Sequence, residues 1–393
     1  MIEEAPRPKK LMTLSFIVSS FATQPAGLIT SLLLIEIGLT FSVPVGVSGQ
    51  LRTVSSIVGV LVALLLGVIS LRYSSRSLLL TGSVLLVISA VGCAFAWDFT
   101  SMLVIFSLTG VGVTMIAPMI NTLIGENFPK DKRSRILGLS AAGTSIAFLV
   151  CSPLVSYISG VGGWRLVFLL LMLPVSIVGL AMAFIGIPKS SQAKKSTQVG
   201  ELLSGFRSVL SDSSAVFCLI GTMLTWTSFL GSLTYSISFF REQFSLALGW
   251  ASILLSAMAL SKTVGHLTIS SLIGKLGRKN AAVASIVSMA ILTFCYLFSS
   301  IFWLSVAIVC VSCTLAGYMH SSVDSLNLEQ VPEYRSSMQS LSYAFYTLGG
   351  VMGAGLGGFA LVFGGYHILG VLLGIFGVAS GIVFYVFARE PTN

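Results

Sequence analysis

Charge is what this chain most lacks. Only 9% of its 393 residues are Asp, Glu, Lys or Arg, against roughly 25% in soluble domains, so a fold with a solvated surface is excluded. Acidic side chains are the scarcer kind, 13 against 22 basic ones, but the net charge of +9 is not gathered on any soluble domain, and nucleic acid is excluded as a partner. The loops expected on the outer side are a few residues long and almost free of acidic or histidine residues, which disfavours a membrane enzyme with its chemistry in sizeable loops, and no ring of charges suggests a channel. Nothing resembles a nucleotide-binding domain.

Two motifs that look chemical are better read as packing. Cys310 and Cys313 spell C-x-x-C but have no second pair, and all six cysteines fall inside apolar runs, where thiols behave as small hydrophobes. Gly353, Gly355 and Gly358 satisfy G-x-G-x-x-G, yet the dinucleotide fingerprint needs a preceding strand. Gly349, Gly353 and Gly357 instead share a helix face at i, i+4, i+8, suited to close helix crossing. We expect no catalytic residue, no metal and no cofactor.

What the chain has is apolar length. Runs at about 11–37, 45–70, 77–97, 99–123, 137–160, 164–188, 213–240, 248–272, 281–299, 301–325, 338–361 and 366–388 are each able to cross roughly 30 Å of hydrocarbon. With no water there to satisfy the backbone, they must be helices. Twelve spans follow. The first is preceded by Arg7, Lys9 and Lys10 with no small-residue cleavage pattern, and reads as a retained helix. With the N-terminus in the cytoplasm, 18 of the 22 basic residues fall on the inner side, and only Arg165 and Arg241 on the outer, as positive-inside bias demands. Both termini are then cytoplasmic, and the location is the cell membrane.

The chain also repeats itself. A shift of 203 positions lays Glu126, Pro129 and Lys132 on Glu329, Pro332 and Arg335, and Arg72 and Arg76 on Lys275 and Lys279. Two matches at one offset argue for duplicated halves: an N-terminal six-helix bundle (1–188), a cytoplasmic linker (189–212) and a C-terminal six-helix bundle (213–393). In the linker, Val199, Leu202, Leu203, Phe206 and Leu210 share one face of a short amphipathic helix expected on the inner leaflet.

At these residues the chain resembles the major facilitator superfamily over its whole length. The loop after the second span is similar to that family's G-x-L-A-D-R-x-G-R-K, with Gly67, Arg72 and Arg76 in the first copy and Lys275, Gly277, Arg278 and Lys279 in the second; Leu71 and Gly274 stand where the family has its acid. Residues 143–168, with Gly143, Pro153, Trp164, Arg165 and Phe168, resemble the drug:proton antiporter and sugar-efflux branch, although Phe106 stands where that branch has an arginine. The resemblance implies an all-α membrane protein of two pseudo-symmetric six-helix bundles, rocking about a central cavity. It implies proton-linked efflux of amphipathic compounds or sugars, by a monomer whose partners are a small-molecule substrate, protons and the bilayer.

Intramembrane charge locates candidate chemistry, because each ion there costs at least a few kcal/mol on lenient insertion scales, ~2.5–3.5. Spans three, six, nine and twelve hold none away from their ends, whereas Arg52 lies in the second span, Lys262 with His266 in the eighth, and His320 with Asp324 in the tenth. Lys262 and His266 are i, i+4, as are His320 and Asp324. Lys262 reads as a contact for an anionic or polar substrate and Asp324, His320 or His266 as a proton-coupling group; equally, the four read as a salt-bridge cluster. Glu36 and Arg52 read as an outer gate pair or as part of the proton or substrate site. Gln24 with Pro25, and Trp226 with Thr227, occupy midplane positions where discontinuous helices expose backbone. Asn121, Tyr343 and Tyr346 complete the substrate-binding candidates. Arg72, Arg76, Glu126, Lys132, Lys275, Lys279, Glu329 and Arg335 are expected to form a cytoplasmic gate. A second functional reading is uptake or exchange of a small organic anion, with Lys262 and Arg52 as countercharges.

Overall fold

The computed structural model describes residues 9–188 and 199–389, and every regular element among them is a helix. Ten of these helices are long and apolar enough to cross a membrane, but two, Ile136–Gly186 and Ser337–Phe387, run for 51 residues, about twice what a bilayer needs. Each is broken by a glycine pair. Gly162 and Gly163 sit at φ −150°, ψ 22° and φ 79°, ψ 174°; Gly364 and Gly365 repeat this at φ −153°, ψ 15° and φ 68°, ψ −166°. Divided there, the ten become the twelve spans expected.

The repeat extends from sequence into helix boundaries. Span four (Phe99–Asn127) and span ten (Phe302–Gln330) are both 29 residues long and begin 203 positions apart. Span three (Ser75–Ala94) and span nine (Arg278–Phe298) start at the same offset. Their caps use different chemistry at equivalent places. The Ser74 hydroxyl accepts from the Ser77 amide at 3.2 Å, whereas Gly277 makes the turn at φ 78°, a region only glycine enters without penalty.

Span one differs from the single helix expected over 11–37. It forms three pieces, Lys9–Ala22, Pro25–Leu32 and Leu34–Phe41: the first break follows from Pro25, which has no N–H to carry the ladder through Thr23 and Gln24, and the second falls at Leu33, at φ −114° and ψ 18°. Span seven (Ser213–Gln243), in contrast, stays continuous through Trp226 and Thr227, so the expected discontinuity exists in the first half only.

The described residues fall into two compact units, one drawn from 1–37 and 54–197, the other from 38–53 and 198–393. The first has a core that includes Phe16, Leu79, Leu86, Ile116 and Ile120. Glycines set its closest helix approaches. A Cβ on Gly143 would lie 2.5 Å from the Ile17 carbonyl oxygen, and Pro153 follows in the same helix, so the motif resemblance corresponds to close packing of span five on span one.

The second unit buries Leu219, Met289, Ala316, Met319, Val323 and Phe384. The glycine face of span eleven is a crossing surface, as expected: a Cβ on Gly349 would meet the Met223 carbonyl at 2.5 Å, and one on Gly353 the Gly231 nitrogen at 2.7 Å. Residues 189–198 of the linker lie outside the described residues, and Val199–Ser211 is helical. Its inward residue is Val209, fully buried in this core, and Leu210 is 52% exposed. The helix packs against span eleven with Gly205 beside Ser337; of the expected face, the side chains of Val199, Leu202 and Leu203 lie outside the described residues.

Candidate functional site

The C-terminal unit gathers its ionisable groups by a glycine-to-glycine crossing. Span eight (Leu248–Leu276) meets span ten where Gly265 faces Gly317, and a Cβ on either would lie within 3.0 Å of the other's Cα. Backbones this close bring the next side chains into contact. His266 Nδ1 is 2.8 Å from Ser321 Oγ, and the His266 and His320 rings stand 5.0 Å apart. One turn further along span ten, Asp324 Oδ2 lies 3.3 Å from His320 Nε2, with side chains 34% and 42% exposed for His320 and Asp324.

Trp226 of span seven is the hub. Its ring meets His320 edge-on at 4.7 Å, Tyr346 at 4.4 Å and Phe229 at 5.8 Å, while Tyr346 stacks on Tyr343 at 5.5 Å. Trp226 is only 2% exposed. It therefore holds its neighbours in place. Thr227 is likewise buried, against Gly349 and Gly353, and donates its hydroxyl to the Met223 carbonyl at 2.8 Å. These two thus serve the helix crossing, while Tyr343 and Tyr346 are half-buried.

Lys262 completes the cluster. Its Nζ lies 5.4 Å from the Trp226 ring centre and 4.7 Å from that of Phe229. Two such contacts stabilise an ammonium by ~0.5–1 kcal/mol each at exposed sites and by ~2 kcal/mol or more when desolvated, so they offset much of the ~2.5–3.5 kcal/mol cost of placing it at membrane depth. Asp324 is within electrostatic range, yet among the described residues of this unit no carboxylate forms an ion pair with Lys262. Among the described residues, the ion pair formed within spans seven, eight and ten is that of His320 and Asp324.

A second polar layer was not anticipated. Asn327, fully buried, donates to Thr222 Oγ1 at 2.9 Å and to Ser342 Oγ at 3.2 Å, tying span ten to spans seven and eleven. Its signal was present in the sequence, since His320, Asp324 and Asn327 follow one another at i, i+4 and i+7 on one helix face. Ser321, one residue after His320, gave no comparable signal.

The other candidates lie elsewhere. Arg52 is half-buried on the stretch 38–53 of the C-terminal unit, in electrostatic range of Tyr235 and Tyr346. In the N-terminal unit, Gln24 is at the break in span one and donates to Thr23 Oγ1 at 2.6 Å, Glu36 is half-buried on Leu34–Phe41, and Asn121 is exposed on span four.

Of the gate residues, Glu329 is bridged by Arg335 at 2.9 Å and Arg278 at 3.7 Å. Lys279 instead lies over the Tyr385 ring at 5.9 Å. Glu126 accepts from Ser75 Oγ at 3.2 Å, and Arg76 is buried with its Nη2 donating to the Phe184 carbonyl at 2.9 Å. The side chains of Arg72, Lys132 and Lys275 lie outside the described residues.

Comparison with known proteins places these features in context. The sequence profile of the Major Facilitator Superfamily matches residues 12–327 and, in a second alignment, 245–393. A probable sugar efflux transporter of Pasteurella multocida is 30% identical over 162 residues, 41% of this chain and 40% of that protein. A hexuronate transporter of Bacillus subtilis is 30% identical over 117 residues, 30% of this chain and 27% of that protein. The matches thus span two fifths or less of these relatives. Among solved structures, a D-xylose-proton symporter superposes with a TM-score of 0.79 at 16% identity, covering 98% of this chain and 99% of that one. The nucleoside transporter NupG does so with a TM-score of 0.76 at 17% identity, covering 96% and 98%. At such identities the likeness is one of fold.

Proposed function

Because the chain belongs to the Major Facilitator Superfamily, and is thus a multi-pass membrane protein and secondary transporter, we propose that it exports a sugar-like or amphipathic solute in exchange for protons. The observation that carries this reading is the His320–Asp324 pair at 3.3 Å. A carboxylate and an imidazole in contact, both partly open to solvent and next to a second histidine, form a group that can take up a proton at one face of the membrane and release it at the other. Alternating access in this reading joins bundles 1–188 and 213–393, works as a monomer in the cell membrane and keeps both termini cytoplasmic. The aligned sugar-efflux relative supports the solute class, and membership of a superfamily of secondary transporters supports an ion or solute gradient as the energy source.

The test is flux in proteoliposomes loaded with a radiolabelled solute and given an inward proton gradient, with neutral sugars and lipophilic cations assayed in parallel. Gradient-accelerated efflux of either class is the expected result. Flux of every solute that ignores the gradient, in both directions, overturns proton linkage.

A further inference from the structure

The proposed reading leaves Lys262 without a task, and its surroundings suggest one. Lys262, His266 and His320 bring three basic side chains into a cluster with one carboxylate, Asp324. That carboxylate contacts His320, and the ammonium of Lys262 is held against two aromatic rings, an arrangement that orients a cation and keeps it less hydrated than in water. The rings supply no full negative charge, and among the described residues of this unit no carboxylate is ion-paired with this half-buried ammonium, on a helix face shared with His266, so the cluster can accept one. Arg52, in the same unit, is in electrostatic range of Tyr346, whose ring is 4.4 Å from that of Trp226.

We propose that this cluster is a carboxylate-binding site in which Lys262 pairs with an acidic group on the transported solute, an acidic sugar or another small organic acid. Ser321 and the half-buried Tyr343 and Tyr346 supply neutral hydrogen bonds and ring surface for the remainder of such a solute. The buried Trp226 acts by positioning Lys262, His320 and Tyr346, and does not touch the solute. This inference rests on the transporter reading but not on its direction or its proton linkage.

The experiment measures binding, not flux, so that the two ideas fail separately. Purified full-length protein in detergent is titrated with D-glucuronate, pyruvate and, as a neutral ring of the same size, D-glucose, following thermal stability and calorimetric heat. At least one carboxylate is expected to bind about tenfold or more tightly than glucose, with Lys262→Gln losing at least about tenfold of that affinity and Lys262→Arg keeping most of it. Should Lys262→Gln fold poorly, Lys262→Arg and the wild-type preference for carboxylate over glucose still decide. The proposal falls if neither carboxylate outbinds glucose, or if well-folded Lys262→Gln binds carboxylate as the wild type does. Proton-driven flux of neutral sugars that is indifferent to carboxylates sinks this inference and leaves the transporter reading standing; Lys262-dependent carboxylate binding without proton-driven flux does the reverse.

Discussion

Gly317 lies so close to span eight that a Cβ there would come within 2.9 Å of Gly265 Cα and 2.8 Å of the His266 nitrogen. The crossing that brings His266 to Ser321 and His320 therefore depends on two missing side chains. Gly317→Ala is expected to cost ~1–3 kcal/mol by overpacking and to lower flux by displacing His266. Gly125→Ala is the control, since nothing lies within 4 Å of a Cβ at Gly125, and its melting temperature in detergent should match or exceed that of the wild type.

Asp324→Asn keeps the shape of the side chain but removes its ability to exchange a proton. Flux driven by an imposed pH gradient is expected to vanish, while solute exchange without a gradient continues. If the variant retains its full response to the gradient, Asp324 does not carry the proton.

Asn327→Ala removes two buried hydrogen bonds, to Thr222 and Ser342. Each contributes about 1 kcal/mol net and leaves a buried hydroxyl with one bond fewer, so a loss of ~1–3 kcal/mol in unfolding stability is expected, read by thermal denaturation of the purified protein. A stability unchanged from wild type would show that this layer does not tie spans seven, ten and eleven together.

Glu329, near the end of span ten, is bridged by Arg278 at the start of span nine and by Arg335 at the start of the helix that carries span eleven, all three partly exposed. Pairs of this kind contribute ~0.2–1 kcal/mol, so Glu329→Gln should barely change the melting temperature. A changed maximal flux with unchanged stability is the expected signature of a gate; unchanged flux assigns the pair a purely local role.

Asp98 caps span four, accepting from the Ser101 amide at 2.7 Å, and hydrogen bonds from the Ser101 side chain and backbone hold its carboxyl below the usual range. The stability it contributes is therefore present above the unfolded value of about 4 and lost as pH falls through the lower folded value. The melting-temperature gap between wild type and Asp98→Ala should shrink on acidification across that window. Asp98→Asn, which caps without titrating, should show no such trend.

Most of the architecture was legible in the sequence because membrane depth admits so few solutions. Twelve apolar runs, the 203-residue repeat and the isolation of Lys262, His266, His320 and Asp324 all follow from the cost of polar groups in hydrocarbon. The pairing of His320 with Asp324 was implied by i, i+4 spacing. What stayed hidden depends on which helix faces which. Hydropathy gives no hint that Gly265 meets Gly317, that Trp226 is buried under its neighbours, or that Arg278 and not Lys279 bridges to Glu329. The break in span one could be read from Pro25; span seven has Ser228 at the repeat-equivalent position and no proline there, so nothing interrupts its ladder at Trp226 and Thr227.

The glycine pairs that divide spans five from six and eleven from twelve have a consequence for how the two halves can diverge. Gly163 and Gly365 sit at φ 79°, ψ 174° and φ 68°, ψ −166°, an extended positive-φ region where any side chain adds roughly 1–3 kcal/mol of backbone strain. Random substitution at either position should therefore be poorly tolerated, even though a Cβ there would meet no neighbouring atom within 4 Å. At these two positions the break shared by both copies is thus guarded by backbone stereochemistry, with no packing partner needed to hold a glycine in place.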